Sequence, residues 1–153
     1  MRRLFKVAIA AALVAATVSF VRRLSNHDSE QVLRDYYEAW SNGDADAVRG
    51  LLADDYTGHV HTLSGTEDQD ARALAKRIKG HQGAFDRIDF DVEDVVCRNG
   101  EAAARLTMRA QHKESGKKAK TTGLAIFRIE NGKIAEEWAS WDYHGLAAQL
   151  GLE

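Results

Sequence analysis

This 153-residue chain contains no proline and a single cysteine, Cys97. One cysteine excludes an intrachain disulfide, and within an apolar strand pattern it reads as a small buried hydrophobe. With no proline and only scattered glycines, neither a linker nor a low-complexity tract is visible, and there is no internal repeat. A basic surface is also missing. Arg2, Arg3, Lys6, Arg22 and Arg23 all lie in the leading segment, leaving 16 of the 21 basic residues against all 23 acidic ones, a formal balance of −7. That balance argues against a nucleic-acid partner, which needs a basic face. The run KESGKKAK, Lys113 to Lys120, is basic but short, and reads as a solvated hairpin loop.

Only one long apolar run exists. Val7 to Val21 carries no charge over fifteen residues, between a basic start and Arg22-Arg23. A membrane span needs roughly 17–25 residues, so the run is short for an anchor unless Leu4 and Phe5 join it and Lys6 snorkels. Residues 1–24 are therefore expected to be an N-terminal membrane anchor engaging the bilayer through 4–21, or a signal segment whose cleavage exports the rest. Residues 28–153 form one domain, since about 130 residues supply one core and not two. Hydrophobic residues at 44% and charged ones at 29% suit a globular domain.

Periodicity organises that domain. Asp28, with Gln31 at capping-box spacing, opens a helix carrying Val32, Leu33, Tyr36, Tyr37 and Trp40 on one face and ending at Gly43. A second helix is expected from Asp44, with Val48, Leu51 and Leu52 together. YTGHVHT, Tyr56 to Thr62, reads as a short strand or turn. A third helix is expected from Thr66, with Leu74, Ile78 and Phe85 on it. The period then becomes two. Ile88, Phe90 and Val92 alternate, and the phase slip to Val95 and Cys97 implies a bulge near Glu93–Asp94. Asn99-Gly100 and Asn131-Gly132 are two-residue hairpin signals. Three helices followed by an antiparallel meander predict an α+β fold, the helices packed on a strongly curved antiparallel sheet.

Hairpin turns also predict which side chains share a face. Counting from Asn131-Gly132 pairs Phe127 with Glu136 and Thr121 with Asp142. A four-residue loop over 114–117 pairs Ala110 with Thr121. One face then collects Leu106, Met108, Ala110, His112, Ala125, Phe127, Ile134, Trp138 and Asp142, apolar at one end and polar at the other, as a ligand cavity requires. Leu124, Ile126 and Trp141 fall on the other face, where a second copy of the chain is the expected cover and the third helix the alternative.

Two stretches, DYYEAWSNGDADAVRGLLADDYTGHV and FRIENGKIAEEWASWDYHGLAAQLG, resemble the SnoaL-like polyketide cyclase group of the nuclear transport factor 2-like superfamily. The likeness spans about Ser29 to Leu152. It implies a cone-shaped α+β fold with a pocket on the concave side of the sheet, lined also by the first helix. It further implies intramolecular aldol chemistry by an acid/base carboxylate, without metal or organic cofactor. The family's acid position, two residues ahead of Phe-Arg-Ile, is here Ala125, which cannot exchange a proton. The family's histidine on the preceding strand matches His112.

Asp142 and His112 are therefore the expected catalytic pair, a carboxylate walled by aromatics beside an imidazole. The competing role for Asp142 is the cap of a terminal helix. Tyr36, Trp40, Tyr56, His59, Thr121, Phe127 and Trp138 are the expected pocket residues. His59 and His61 alternate on one face, but no ligand spacing supports a metal, and no metal or cofactor is expected. No serine, nor Cys97, has a recognisable base partner for nucleophilic catalysis. Two functions remain open: a cofactor-free cyclase, isomerase or hydrolase acting on a small apolar ligand, and a membrane-tethered ligand-binding or dimerisation module without turnover.

Overall fold

A computed structural model describes residues 28–62 and 64–151; the leading segment, with its membrane expectation, lies outside them. Among the described residues no helix is long and apolar enough to cross a membrane. Among the described residues four helices and six strands follow one another: α1 (28–41), α2 (Ala45–Gly50), β1 (Leu52–Thr62), β2 (Gly65–Gln69), α3 (Ala71–Ala84), β3 (Phe85–Arg98), β4 (Glu101–His112), β5 (Lys118–Glu130), β6 (Lys133–Trp141) and α4 (Tyr143–Leu150). The strands form one curved, unclosed sheet in the order β2-β1-β6-β5-β4-β3, with the helices packed against it. Its pairings are antiparallel except β1 with β6, which run parallel. The expected curved antiparallel sheet therefore forms, with this one parallel pairing added.

The first helix follows its pattern. Leu33, Tyr36, Tyr37 and Trp40 recur at i, i+3, i+4 and i+7, and all four are buried against the sheet. Burying a leucine of this kind contributes about 1.5–3 kcal/mol. Residue 28 is already helical, so the cap expected at Asp28 is not there. Asp44 caps α2, its Oδ1 accepting from the Ala47 amide at 2.9 Å. That helix stops at Gly50, and Leu52 enters a strand, because β1 finds a partner in β6.

The segment from Thr66 differs from the expected helix. It forms β2, a short edge strand pairing back onto β1 from Gly58–Gln69 to Thr62–Gly65. Helix α3 begins only after Asp70, whose carboxylate accepts from the Ala73 amide at 2.7 Å. Leu74 and Ile78 are buried as expected, whereas Phe85 has extended backbone and starts β3.

The hairpins form at both Asn-Gly pairs, with positive φ at Asn99, Gly100, Asn131 and Gly132. The register of β3 on β4 shifts between Val92 and Asp94, where the phase slip placed a bulge. Between β4 and β5 the register is two residues from expectation, with Ala110 opposite Ala119 and Met108 opposite Thr121. A shift of two preserves the face, so Leu106, Met108, Ala110, Ala125 and Phe127 remain buried together.

The last hairpin breaks the expectation. Ile129 pairs with Ile134, but the register then shifts, and Phe127 faces Glu137, Ala125 faces Ala139 and Gly123 faces Trp141. Ile134 and Ala135 are buried consecutively, the sign of one extra residue in β6. Every side chain after that bulge is on the face opposite to the one counted from the turn. Glu137, Ala139 and Trp141 point to the concave side, and Trp138 is 37% exposed on the outer one.

Candidate functional site

A cavity of about 170 Å³ lies between the concave sheet and helices α1, α3 and α4. Helix α1 supplies Tyr36, Tyr37 and Trp40; α3 supplies Leu74, Arg77 and His81; β6 supplies Glu137, Ala139 and Trp141. Phe85, Ile88 and Phe90 of β3, Met108 of β4, Gln69 of β2 and Tyr143 and Leu146 of α4 complete the wall.

Glu137 is the buried carboxylate of this cavity, at 5% exposure. The phenols of Tyr36 and Tyr56 both donate to its Oε2, at 2.9 and 2.8 Å. Oε1 receives no hydrogen bond from any described residue, so it is the oxygen available to a ligand. Burial raises the Glu137 pKa above the ordinary carboxylate value, while the two phenol hydrogen bonds and the Arg77 charge oppose the rise. Burial, followed by the Glu137 charge, raises the Tyr36 and Tyr56 pKa values too. Both phenols therefore stay protonated as donors.

Two further polar groups in the wall lack partners. The Tyr37 hydroxyl and His81 Nδ1 are buried without a hydrogen bond. Burial, with Arg77 nearby, lowers the His81 pKa to about 4, so its ring is neutral near pH 7. The ring stands 5.4 Å from Trp40 and 6.2 Å from Phe85 between centroids. Unmet polar groups of this kind cost about 1–3 kcal/mol each, a cost that a ligand offering complementary groups removes.

The expected site residues divide. Tyr36 and Trp40 line the cavity, and Tyr56 reaches it through Glu137. Phe127 is fully buried behind Tyr36 and Tyr37, at 5.8 and 6.1 Å between ring centroids. Thr121 is buried and donates to the backbone carbonyl of Asp142 at 3.0 Å. Asp142 itself is exposed and caps α4, accepting from the Gly145 amide at 2.8 Å. His112 ends β4, with Nδ1 3.1 Å from Ser115 Oγ and its ring edge-on to Phe85. Neither Asp142 nor His112 is part of the cavity wall.

Trp138 and His59 are together, but on the outer face, stacked at 5.3 Å and 24°. There His59 bridges Asp68 at 2.7 Å and Glu136 at 3.1 Å. Trp141, expected outside, packs inward against Phe90 at 5.5 Å. Among the described residues, no cluster of three His, Cys, Asp or Glu side chains could hold a metal ion.

Sequence reasoning passed over Glu137 and Arg77, and considered His81 only as a candidate metal ligand. The signal for Glu137 was Gly123. A glycine inside a strand makes room for a large neighbour, and a Cβ there would stand 2.5 Å from Trp141 Cε3. Pairing Gly123 with Trp141 requires the extra residue in β6, and that register brings Glu137 inside.

Residues 30–150 match the family model for SnoaL-like polyketide cyclase. Among solved structures, the chain is similar to wild-type IdmH of Streptomyces antibioticus, a candidate polyketide cyclase. Identity is 25% and the TM-score 0.73, over 80% of this chain and 98% of that one. A candidate polyketide cyclase of Bacillus cereus aligns with TM-score 0.72 at 22% identity, covering 82% and 81% of the two chains. A Catenulispora acidiphila protein with a ketosteroid isomerase-like fold gives TM-score 0.71 at 13% identity, over 80% and 93%. These last two likenesses show the fold alone. No curated protein matches the chain significantly in sequence.

Proposed function

Because the chain belongs to the SnoaL-like polyketide cyclase family, we propose that it is a cofactor-free acid/base cyclase or isomerase in which Glu137 moves the proton. The observation carrying this reading is the buried carboxyl whose Oε2 is clamped by Tyr36 and Tyr56 while Oε1 is left to the cavity. A carboxyl whose pKa burial raises is a better base when ionised and can return the proton as an acid. The family pattern puts its acid at Ala125, and that alanine is buried opposite Ala139. Glu137, opposite Phe127 on the neighbouring strand, is diagonal to Ala125 and supplies a carboxylate from β6 instead.

In an aldol ring closure, Glu137 Oε1 takes the proton from the carbon beside a carbonyl. That carbon then attacks a second carbonyl of the same molecule, forming the C–C bond. The resulting alkoxide takes the proton back from Glu137, so product and substrate are isomers. The unpartnered Tyr37 hydroxyl is the donor suited to the enolate oxygen.

The test is deuterium uptake at the α-carbon of 1-indanone in D₂O, followed by NMR. The parent chain should accelerate exchange over buffer, and Glu137→Gln should lower that acceleration about 10²–10⁴-fold. No acceleration by the parent, or an undiminished one in the variant, overturns the reading.

A second reading concerns partners. We propose that a second copy covers the outer sheet face. Val96, Ala103, Ile126 and Trp138 are successive cross-strand neighbours there, so one apolar row crosses four strands. Val96, Ile126 and Trp138 are 71, 52 and 37% exposed, with Leu124 beside them at 64%. A row of that kind is self-complementary about a two-fold axis.

A further inference from the structure

We propose that the cavity takes a small apolar monocarboxylate, its carboxylate held by Arg77 and by the neighbouring His81. This rests on reading the cavity as a ligand site, and it adds the class of ligand. Helix α3 turns Leu74, Arg77, Ile78 and His81 to the same side, at i, i+3, i+4 and i+7. Leu74 and Ile78 are core residues at 1% exposure, which fixes that side toward the sheet. Arg77 and His81 are thereby carried into the wall of the cavity.

Arg77 differs from the other arginines of the domain. Arg34, Arg87, Arg105, Arg109 and Arg128 each have a carboxylate partner. Arg49, Arg72 and Arg98 have none but are exposed to water. Arg77 is half-buried in the wall, and no described residue gives its guanidinium a hydrogen bond or an ion pair. The one carboxyl in that wall, Glu137, is turned to the phenols of Tyr36 and Tyr56 instead.

The second observation is independent of charge. His81 Nδ1 is buried and unpartnered, one turn further along the helix. A neutral imidazole keeps one N–H to donate. A guanidinium fork fits two carboxylate oxygens at once, and those oxygens have lone pairs left for an imidazole donor. Trp40, Phe85, Phe90, Trp141 and Leu146 make the rest of the wall, so the remainder of the ligand is apolar. The volume of about 170 Å³ suits one ring, since an apolar cavity of about 150 Å³ accommodates benzene.

The experiment titrates the full chain with benzoate and with benzamide, a neutral molecule of nearly the same shape. Tryptophan fluorescence reports binding, because Trp40 and Trp141 belong to the wall. Benzoate should bind about tenfold more tightly than benzamide, the scale of a charge-assisted pair. Arg77→Met should bring the two affinities together. Arg77→Lys, a point charge without the fork, should keep part of the difference. Equal affinities in the parent, no binding of either probe, or a preference that survives Arg77→Met overturns the proposal. The parent comparison decides even if a variant fails to fold. Deuterium exchange on 1-indanone, which carries no carboxylate, is a separate readout, so loss of one result does not entail loss of the other.

Discussion

Glu137 and His81 share one cavity and respond to pH with opposite signs. Burial raises the Glu137 pKa above its ordinary value of 4.5. Its contribution to stability is therefore fully present below about pH 4.5 and is lost as pH rises through the folded-state value. Burial lowers the His81 pKa from 6.5 to about 4, so its contribution is present above pH 6.5 and is lost as pH falls toward 4. Glu137→Gln should accordingly melt a few degrees above the parent at pH 7, with the difference gone by pH 4. His81→Phe should remove part of the parent's loss of stability between pH 6.5 and 4. Circular dichroism melts across that range check both signs, and parallel curves for parent and variants would show that neither group titrates with folding. A more stable Glu137→Gln chain is what a carboxyl ionised at a cost in its buried site predicts.

At the scale of the element, β6 joins fold to site. Its bulge at Ala135 brings Glu137 opposite Phe127, and its end lays the Trp141 indole across Gly123. Gly123→Ala should cost about 1–3 kcal/mol, because the new Cβ overlaps the indole. Trp141→Leu in the same chain should recover part of that loss, and a double-mutant cycle in urea measures the coupling. The elements most legible in the sequence were those whose pattern has one solution. Leu33, Tyr36, Tyr37 and Trp40 fit only a helix, and the slip from Val92 to Val95 fits only a bulge. Strand β6 has two solutions. Counting even residues collects Ile134 and Trp138, and counting odd ones collects Ala135, Ala139 and Trp141, so hydropathy does not separate the faces. Turn counting then fails silently after one inserted residue. Strand β2 was missed for a different reason: GTEDQ has no apolar alternation, and pairing with β1 alone makes it a strand.

For the molecule as a whole, family and fold could be read from the chain, while the inward placement of Arg77, His81 and Glu137 could not. Arg77 and His81 sit on a helix whose apolar periodicity drew attention to Leu74 and Ile78, and nothing in spacing marks a polar residue as inward. The outer sheet face carries the remaining prediction. Ile126→Glu should convert a dimer to a monomer in light scattering at micromolar concentration, since charge in the centre of an apolar row opposes its burial. A monomeric parent would remove that partner.

Glu136 and Glu137 share a peptide bond and lead different electrostatic lives. His59 and Arg128 hold the first below the usual carboxylate range on the outer face, while burial pushes the second above it within the cavity. Had β6 lacked its extra residue, Glu136 would have stood opposite Phe127 in place of its neighbour. The repeated glutamate thus keeps a carboxyl opposite Phe127 in either register, whether the bulge is present or flattened.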